Sequence, residues 1–157
     1  VLIGRRPKRT LVRIAVLVSV TFVLFRFVLA PIRVLGPSML PTYRMGQVHV
    51  INRLAYCFHE PRRGDVVAIK YTGEHVMRLK RILGLPGETV AFEGGCLLIN
   101  GRRLEEPYVR NSCDWEKPPV EVHLDEVYVV GDNRSMPREF HDEGCAQRAR
   151  ILGKLLL

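Results

Sequence analysis

Thr89-Val90-Ala91-Phe92-Glu93-Gly94-Gly95-Cys96-Leu97-Leu98-Ile99-Asn100-Gly101-Arg102-Arg103-Leu104 is the stretch whose pattern decides the fold. Two short apolar runs flank Glu93-Gly94-Gly95. Asn100-Gly101, the dipeptide best suited to a tight hairpin turn, then leads into a third run. The spacing predicts strands 89–92 and 96–99 paired across the glycines, with a return at 102–104. The same period-two character extends in both directions. It predicts strands over 47–52, over 65–71 after the Arg63-Gly64 turn, and over 76–83, stopped by Gly84 and Pro86-Gly87. Further strands are expected over 120–124 and 126–130, the last ended by Gly131-Asp132-Asn133. Residues 151–157 read as a strand or a short helix. Residues 107–119 read as a long connection with Trp115 folded back as an anchor. Short strands with frequent turns predict a mainly β domain of barrel or sandwich type. No internal repeat or low-complexity stretch interrupts it.

The N-terminal segment is different. Ile14 to Phe25 carries no charge, and Leu11 to Ile32 gives 22 mostly apolar residues, enough to span a bilayer if Arg13 and Arg26 sit near its edges. Residues 1–35 hold seven basic residues and no acidic one, and the remainder holds 17 basic against 16 acidic. Almost all of the +8 net charge therefore belongs to the N-terminal segment. That distribution argues against a nucleic-acid partner, whose reader would keep its excess on the folded domain. It favours a cytoplasmic N-terminus by the positive-inside rule. The expected layout is a basic cytoplasmic tail at 1–10, a transmembrane helix at 11–32 and an extracytoplasmic β domain at 34–157. A cleavable signal fits less well because Pro31 would follow a cut after Val28-Leu29-Ala30. A surface-lying helix lacks its polar face. Val1 leaves the true N-terminus open.

Cys57, Cys96, Cys113 and Cys145 show no C-x-x-C spacing, which argues against a metal site. Their even number permits disulfides in an oxidising compartment, and small buried hydrophobes are the plainer reading. No cofactor is implied. His49, His59, His75 and His123 read as surface or internally satisfied side chains. A Ser38–His141–Asp142 triad is disfavoured, because adjacent His and Asp rarely meet triad geometry.

Two stretches carry chemistry. In Gly36-Pro37-Ser38-Met39-Leu40-Pro41-Thr42 the prolines stiffen a loop that presents a hydroxyl just after the apolar segment. In Met77-Arg78-Leu79-Lys80-Arg81-Ile82-Leu83, alternation sends Lys80 and Arg81 to opposite faces, so one cation meets an apolar face if either face is buried. Lysine is the better candidate because it can give up its charge. Lowering its pKa from about 10.4 to about 8 costs on the order of 3–4 kcal/mol, which burial among aliphatic groups can supply. A neutral lysine can then activate a serine.

These two stretches, with Arg63-Gly64-Asp65-Val66-Val67 and Gly131-Asp132-Asn133-Arg134-Ser135, resemble the four motifs of type I signal peptidases, in the family's order and behind an N-terminal anchor. The resemblance implies a signal-peptidase-like β domain with one transmembrane helix in the inner (plasma) membrane. It implies an endopeptidase using a Ser38/Lys80 dyad, without metal or cofactor, on signal-peptide-bearing preproteins. Met39 would line the site, the Ser38 N–H would help hold the oxyanion, and Asp132 would pair with Arg81. Substrates would carry small residues at the first and third positions before the cut. Two positions depart from the family pattern. Gly36 stands where some members have an oxyanion-hole serine. Pro137 stands where many have a serine that orients the lysine, leaving Ser135 and His141 as candidates for that task. The alternatives are a specialised pilin or conjugation maturation peptidase, a self-cleaving repressor-type domain, which the anchor disfavours, and an inactive membrane-anchored peptide-binding β domain.

Overall fold

The computed structural model describes residues 7–70, 77–111, 113–141 and 143–156. Val1, Tyr71, His75, Val76 and Asp142, each invoked above, lie outside the described residues. The chain is mainly β with one long apolar helix. Helix α1 (Pro7–Val23) continues through a π-helical turn, Leu24–Val28. Together they form a 22-residue element with none of its apolar window buried, long enough to cross a membrane.

The strands are β1 (Leu29–Arg33), β2 (Val48–Asn52), β3 (Val66–Lys70), β4 (Met77–Gly84), β5 (Thr89–Glu93), β6 (Cys96–Ile99), β7 (Arg102–Arg103), β8 (Lys117–Glu121), β9 (Glu126–Val130), β10 (Gly144–Gln147) and β11 (Ile151–Leu156). Seven form one antiparallel sheet in the order β1-β2-β11-β3-β4-β9-β10, and four form a second in the order β7-β6-β5-β8. The hairpin at 89–104 forms with Val90 opposite Ile99 and Phe92 opposite Leu97. Asn100 and Gly101 both take positive φ, 51° and 73°, as a two-residue turn of this type requires.

Two boundaries differ from expectation. The helix ends at Val28, not Ile32. Leu29–Arg33 pairs along its whole length with β2, and Ala30 and Ile32 are buried in the domain core. Hydropathy cannot separate these fates, since lipid and a protein interior both accept the same side chains. Pro31 is tolerated because β1 is an edge strand. The strand expected over 120–124 begins earlier, at Lys117, and ends at Glu121. It includes Pro118 and Pro119 from the expected connection, which fit because β8 is also an edge, where a missing N–H breaks no ladder. The connection is correspondingly shorter, and Trp115 is its buried anchor.

The central strands are covered on both faces. Val66, Ala68 and Leu79 pack with Met39, Tyr43 and Ile51 on one side. Val67, Ile69, Ile82, Val127 and Val129 pack on the other. A third cluster joins Leu83, Tyr128 and Val130 to Val90, Phe92, Leu97 and Trp115, fastening the small sheet to the large one. The four cysteines are free thiols, and Cys57 and Cys145 are exposed, so these two are not the buried hydrophobes expected. Gly84 sits where the sheets meet, and a Cβ there would lie 2.5 Å from Val90 Cγ2 and 2.7 Å from Tyr128 Cβ. Gly84→Ala is therefore expected to lower stability by about 1–3 kcal/mol, read as a reduced denaturant midpoint.

Candidate active site

The loop after β1 is built by its apolar residues. Met39 and Tyr43 are buried in the core, and the Tyr43 N–H bonds the Met39 carbonyl at 2.9 Å. Gly36 takes φ 95°, which favours glycine, and Leu40 N–H closes a turn onto the Pro37 carbonyl. Ser38 is thereby left half-exposed beside a narrow groove lined by Ile32, Val34, Met39, Ala68 and Leu79, with Arg33 and Arg78.

The segment after β9 grips this loop. Asn133 donates its main-chain N–H to the Ser38 carbonyl and its side-chain amide to the Pro37 carbonyl, both at 3.0 Å. Any Cβ on Gly131 would collide with the Ser38 carbonyl oxygen and come within 2.6 Å of His141 Cε1. Glycine is needed there for close approach.

Lys80 is completely buried. Directly opposed strand residues share a face, so Lys80 lies with Val67, and its neighbour Ile82 lies with Val129. Burial lowers its pKa to about 8, repulsion from Arg78 assists, and Glu143 opposes. Its Nζ donates to the main-chain carbonyl of His141. Ser38 Oγ is not among its hydrogen-bond partners. Nucleophile–base contacts often tighten only when substrate is bound. The two residues are linked in turn through Gly131, which lies against the Ser38 carbonyl and the His141 ring, and His141, whose carbonyl takes the Lys80 amine.

Arg81 points the other way, opposite Val66 and Val130. It bonds both oxygens of Asp132, at 2.8 and 2.6 Å, and the Gly64 carbonyl at 2.9 Å. Thr42 donates to the same carboxylate at 2.6 Å, tying the serine loop to it. The Tyr108 ring lies 4.0 Å from the Arg81 guanidinium. The Tyr108 hydroxyl donates to Glu106, which holds Arg134 through two bonds of 2.8 and 2.5 Å. Arg134 in turn donates to the Gly131 carbonyl at 3.1 Å.

Ser135 has a different place from the one considered for it. It is exposed and donates to Asn133 Oδ1 at 2.6 Å, so its hydroxyl does not reach the lysine. His141 does enter the site, through its carbonyl. Its buried ring accepts the Gly131 N–H at Nδ1 (3.4 Å) and meets the Asn133 carbonyl from Nε2 (2.9 Å). Both ring nitrogens are engaged, and burial, then the nearby lysine, lowers its pKa to about 4. This leaves no free nitrogen for a serine–histidine triad. His59 and His123 are exposed, and His49 stacks edge-on against Tyr43.

Thr42, Glu106, Tyr108 and Glu143 were not singled out from sequence. An acid and an aromatic flanking one proline in a polar connection, Glu106-Pro107-Tyr108, was the available signal for two of them. Among the described residues no group of three or more His, Cys, Asp or Glu could hold a metal ion. A larger cavity of about 790 Å³ lies between the β5–β6 turn and residues 103–113, but its Glu106 and Arg134 are spent on each other. Asp132→Ala would strand the largely buried Arg81 charge and is expected to cost about 3–5 kcal/mol, against about 1 kcal/mol for Thr42→Val, measured by urea unfolding.

The family Signal peptidase, peptidase S26 matches residues 8–156. A signal peptidase I of Leptolyngbya laminosa is 37% identical over 128 residues, covering 76% of this chain and 63% of that protein. A probable signal peptidase I-2 of Synechocystis is 34% identical over 123 residues, covering 74% and 56%. The chain thus spans about three fifths of the length of these relatives. The crystal structure of a signal peptidase I from Enterococcus faecalis superposes with a TM-score of 0.51 at 27% identity, covering 62% of this chain and 98% of that one. With its β domain, apolar helix and motif residues assembled around one loop, the chain belongs to the signal peptidase family, peptidase S26.

Proposed function

We propose that the protein is a membrane-bound serine endopeptidase that removes N-terminal signal peptides from exported preproteins, with Ser38 as nucleophile and Lys80 as general base. The observation that carries this reading is a completely buried lysine amine, donating to a main-chain carbonyl, beside the segment that grips the Ser38 loop. Burial keeps part of the amine neutral near physiological pH. The neutral amine takes the Ser38 proton as Oγ attacks the scissile carbonyl. The ammonium then protonates the leaving amine, and the regenerated amine activates water to release the acyl-enzyme. The Ser38 main-chain N–H stabilises the oxyanion, and Gly36 supplies no second hydroxyl. Met39 shapes the floor of the groove, whose small apolar walls suit small substrate side chains.

The Arg81–Asp132–Thr42 bonds support the serine loop from below. The 22-residue apolar element would hold the site at the membrane surface, near a membrane-inserted substrate. The basic residues at its start favour a cytoplasmic N-terminus and an extracytoplasmic domain. No observation favours the pilin-type, repressor-type or inactive alternatives.

Ser38→Ala and Lys80→Met are each expected to abolish cleavage of an Ala-x-Ala precursor in membranes while the proteins stay folded. Full cleavage by Lys80→Met would refute the assignment of the base. The base acts unprotonated, so kcat/KM should rise with pH up to about 8 and level off above it. About a tenth of the plateau is expected at pH 7, and a flat profile between pH 6 and 9 would contradict the assignment.

A further inference from the structure

In this chain the lysine amine meets a main-chain carbonyl, and the one serine hydroxyl of the 131–137 segment is elsewhere. Ser135 is turned to Asn133, and position 137 is an exposed proline. The His141 carbonyl is held from both sides. Before it, the His141 N–H bonds the Arg138 carbonyl at 3.0 Å, and the ring is pinned between Gly131 and Asn133 with its plane edge-on to Trp115 at 4.7 Å. After it, half-buried Glu143 accepts from Lys117 Nζ at 2.7 and 2.9 Å and from the Tyr128 hydroxyl.

A neutral amine has two N–H donors and one lone pair. A fixed acceptor for one N–H leaves the lone pair for a serine hydroxyl. On proton transfer the Ser38 O–H bond breaks and a new N–H bond forms on Lys80. The serine oxygen's electron pair goes to the substrate carbonyl carbon. The hydrogen bond to the carbonyl then becomes charge-assisted and stronger, so it favours the transition state over the ground state.

We propose that His141 is a positioning residue: its buried ring fixes its own main-chain carbonyl against the Lys80 amine, aiming the amine and stabilising the ammonium formed during catalysis. This rests on Lys80 being the base. Among the described residues the charged groups acting on the amine are Arg78 on its own strand and Glu143 just before β10, the latter paired with Lys117 of β8. The His141 ring itself is uncharged at working pH.

The test compares the full chain in detergent with three altered proteins. His141→Phe keeps a ring but loses both nitrogen bonds, and His141→Gln retains one donor and one acceptor. In the third, the α-hydroxy counterpart of aspartate at position 142 converts the 141–142 amide to an ester, a poorer acceptor, with every side chain unchanged. His141→Phe is expected to lower kcat about 30-fold or more with KM within about twofold, and His141→Gln to recover to within about fivefold of the parent. The ester is expected to lower kcat about tenfold and to move the acid limb of the pH profile down by about half a unit, because the ammonium loses part of its acceptor. Parent-like kcat in His141→Phe, a loss confined to KM, or an ester protein with unchanged kcat and acid limb would each overturn the proposal. Should His141→Phe fail to fold, the ester protein decides. Ser38→Ala is run alongside: residual cleavage there would remove the protease reading itself, whereas its silence with an active His141→Phe removes only the role of His141.

Discussion

A completely buried lysine amine held on a main-chain carbonyl is the constraint around which this molecule is arranged. Lys80 has no solvent exposure, and the desolvation that lowers its pKa from 10.5 to about 8 corresponds to about 3 kcal/mol. The adjacent residue has the opposite treatment. Arg81 cannot shed its charge, and it takes both oxygens of Asp132. Two consecutive cations on a strand thus face different chemistry because alternation sends them to different sides of a sheet covered on both. Exchanging their environments would leave the amine charged and strand the guanidinium.

The rest of the fold serves that separation. The third core cluster closes the small sheet over the end of the large one and buries Trp115, against whose ring His141 stacks. The connection that follows β7 brings Tyr108 to Arg81 and Glu106 to Arg134, so one irregular segment braces both arginines of the site. Buried ion pairs such as Arg134–Glu106 and Lys117–Glu143 are poor sources of net stability, since desolvation offsets their attraction. Their use here is to tie Arg134 and Glu143, on either side of His141, to the connection after β7 and to β8.

Much of this was legible beforehand. The Gly-Gly and Asn-Gly turns specified the 89–104 meander, because few residues accept the φ values those turns need. The alternation through Arg78-Leu79-Lys80-Arg81 predicted that one cation would point inward. Where reading failed, the physics was ambiguous at short range. Leu29–Ile32 is apolar for a protein core, yet it reads as the end of a membrane helix. Pro118-Pro119 reads as a loop until β8 is known to be an edge strand. Ser135 looked a fitting partner for the lysine because a hydroxyl was expected, but main-chain carbonyls carry no sequence signature, and the one supplied by His141 was invisible.

Local propensities and side-chain chemistry, which act over a few residues, were sufficient to determine from the chain alone a mainly β domain, a long apolar helix and a strand on which one of two adjacent cations turns inward. Contacts 50 to 100 residues apart in the chain decided the rest. These are Asn133 on the Ser38 loop, Thr42 on Asp132, and the His141 carbonyl on the Lys80 amine. The physical reason is that desolvation and hydrogen-bond direction depend on what surrounds a group in space, and those surroundings exist only once both sheets have closed around it.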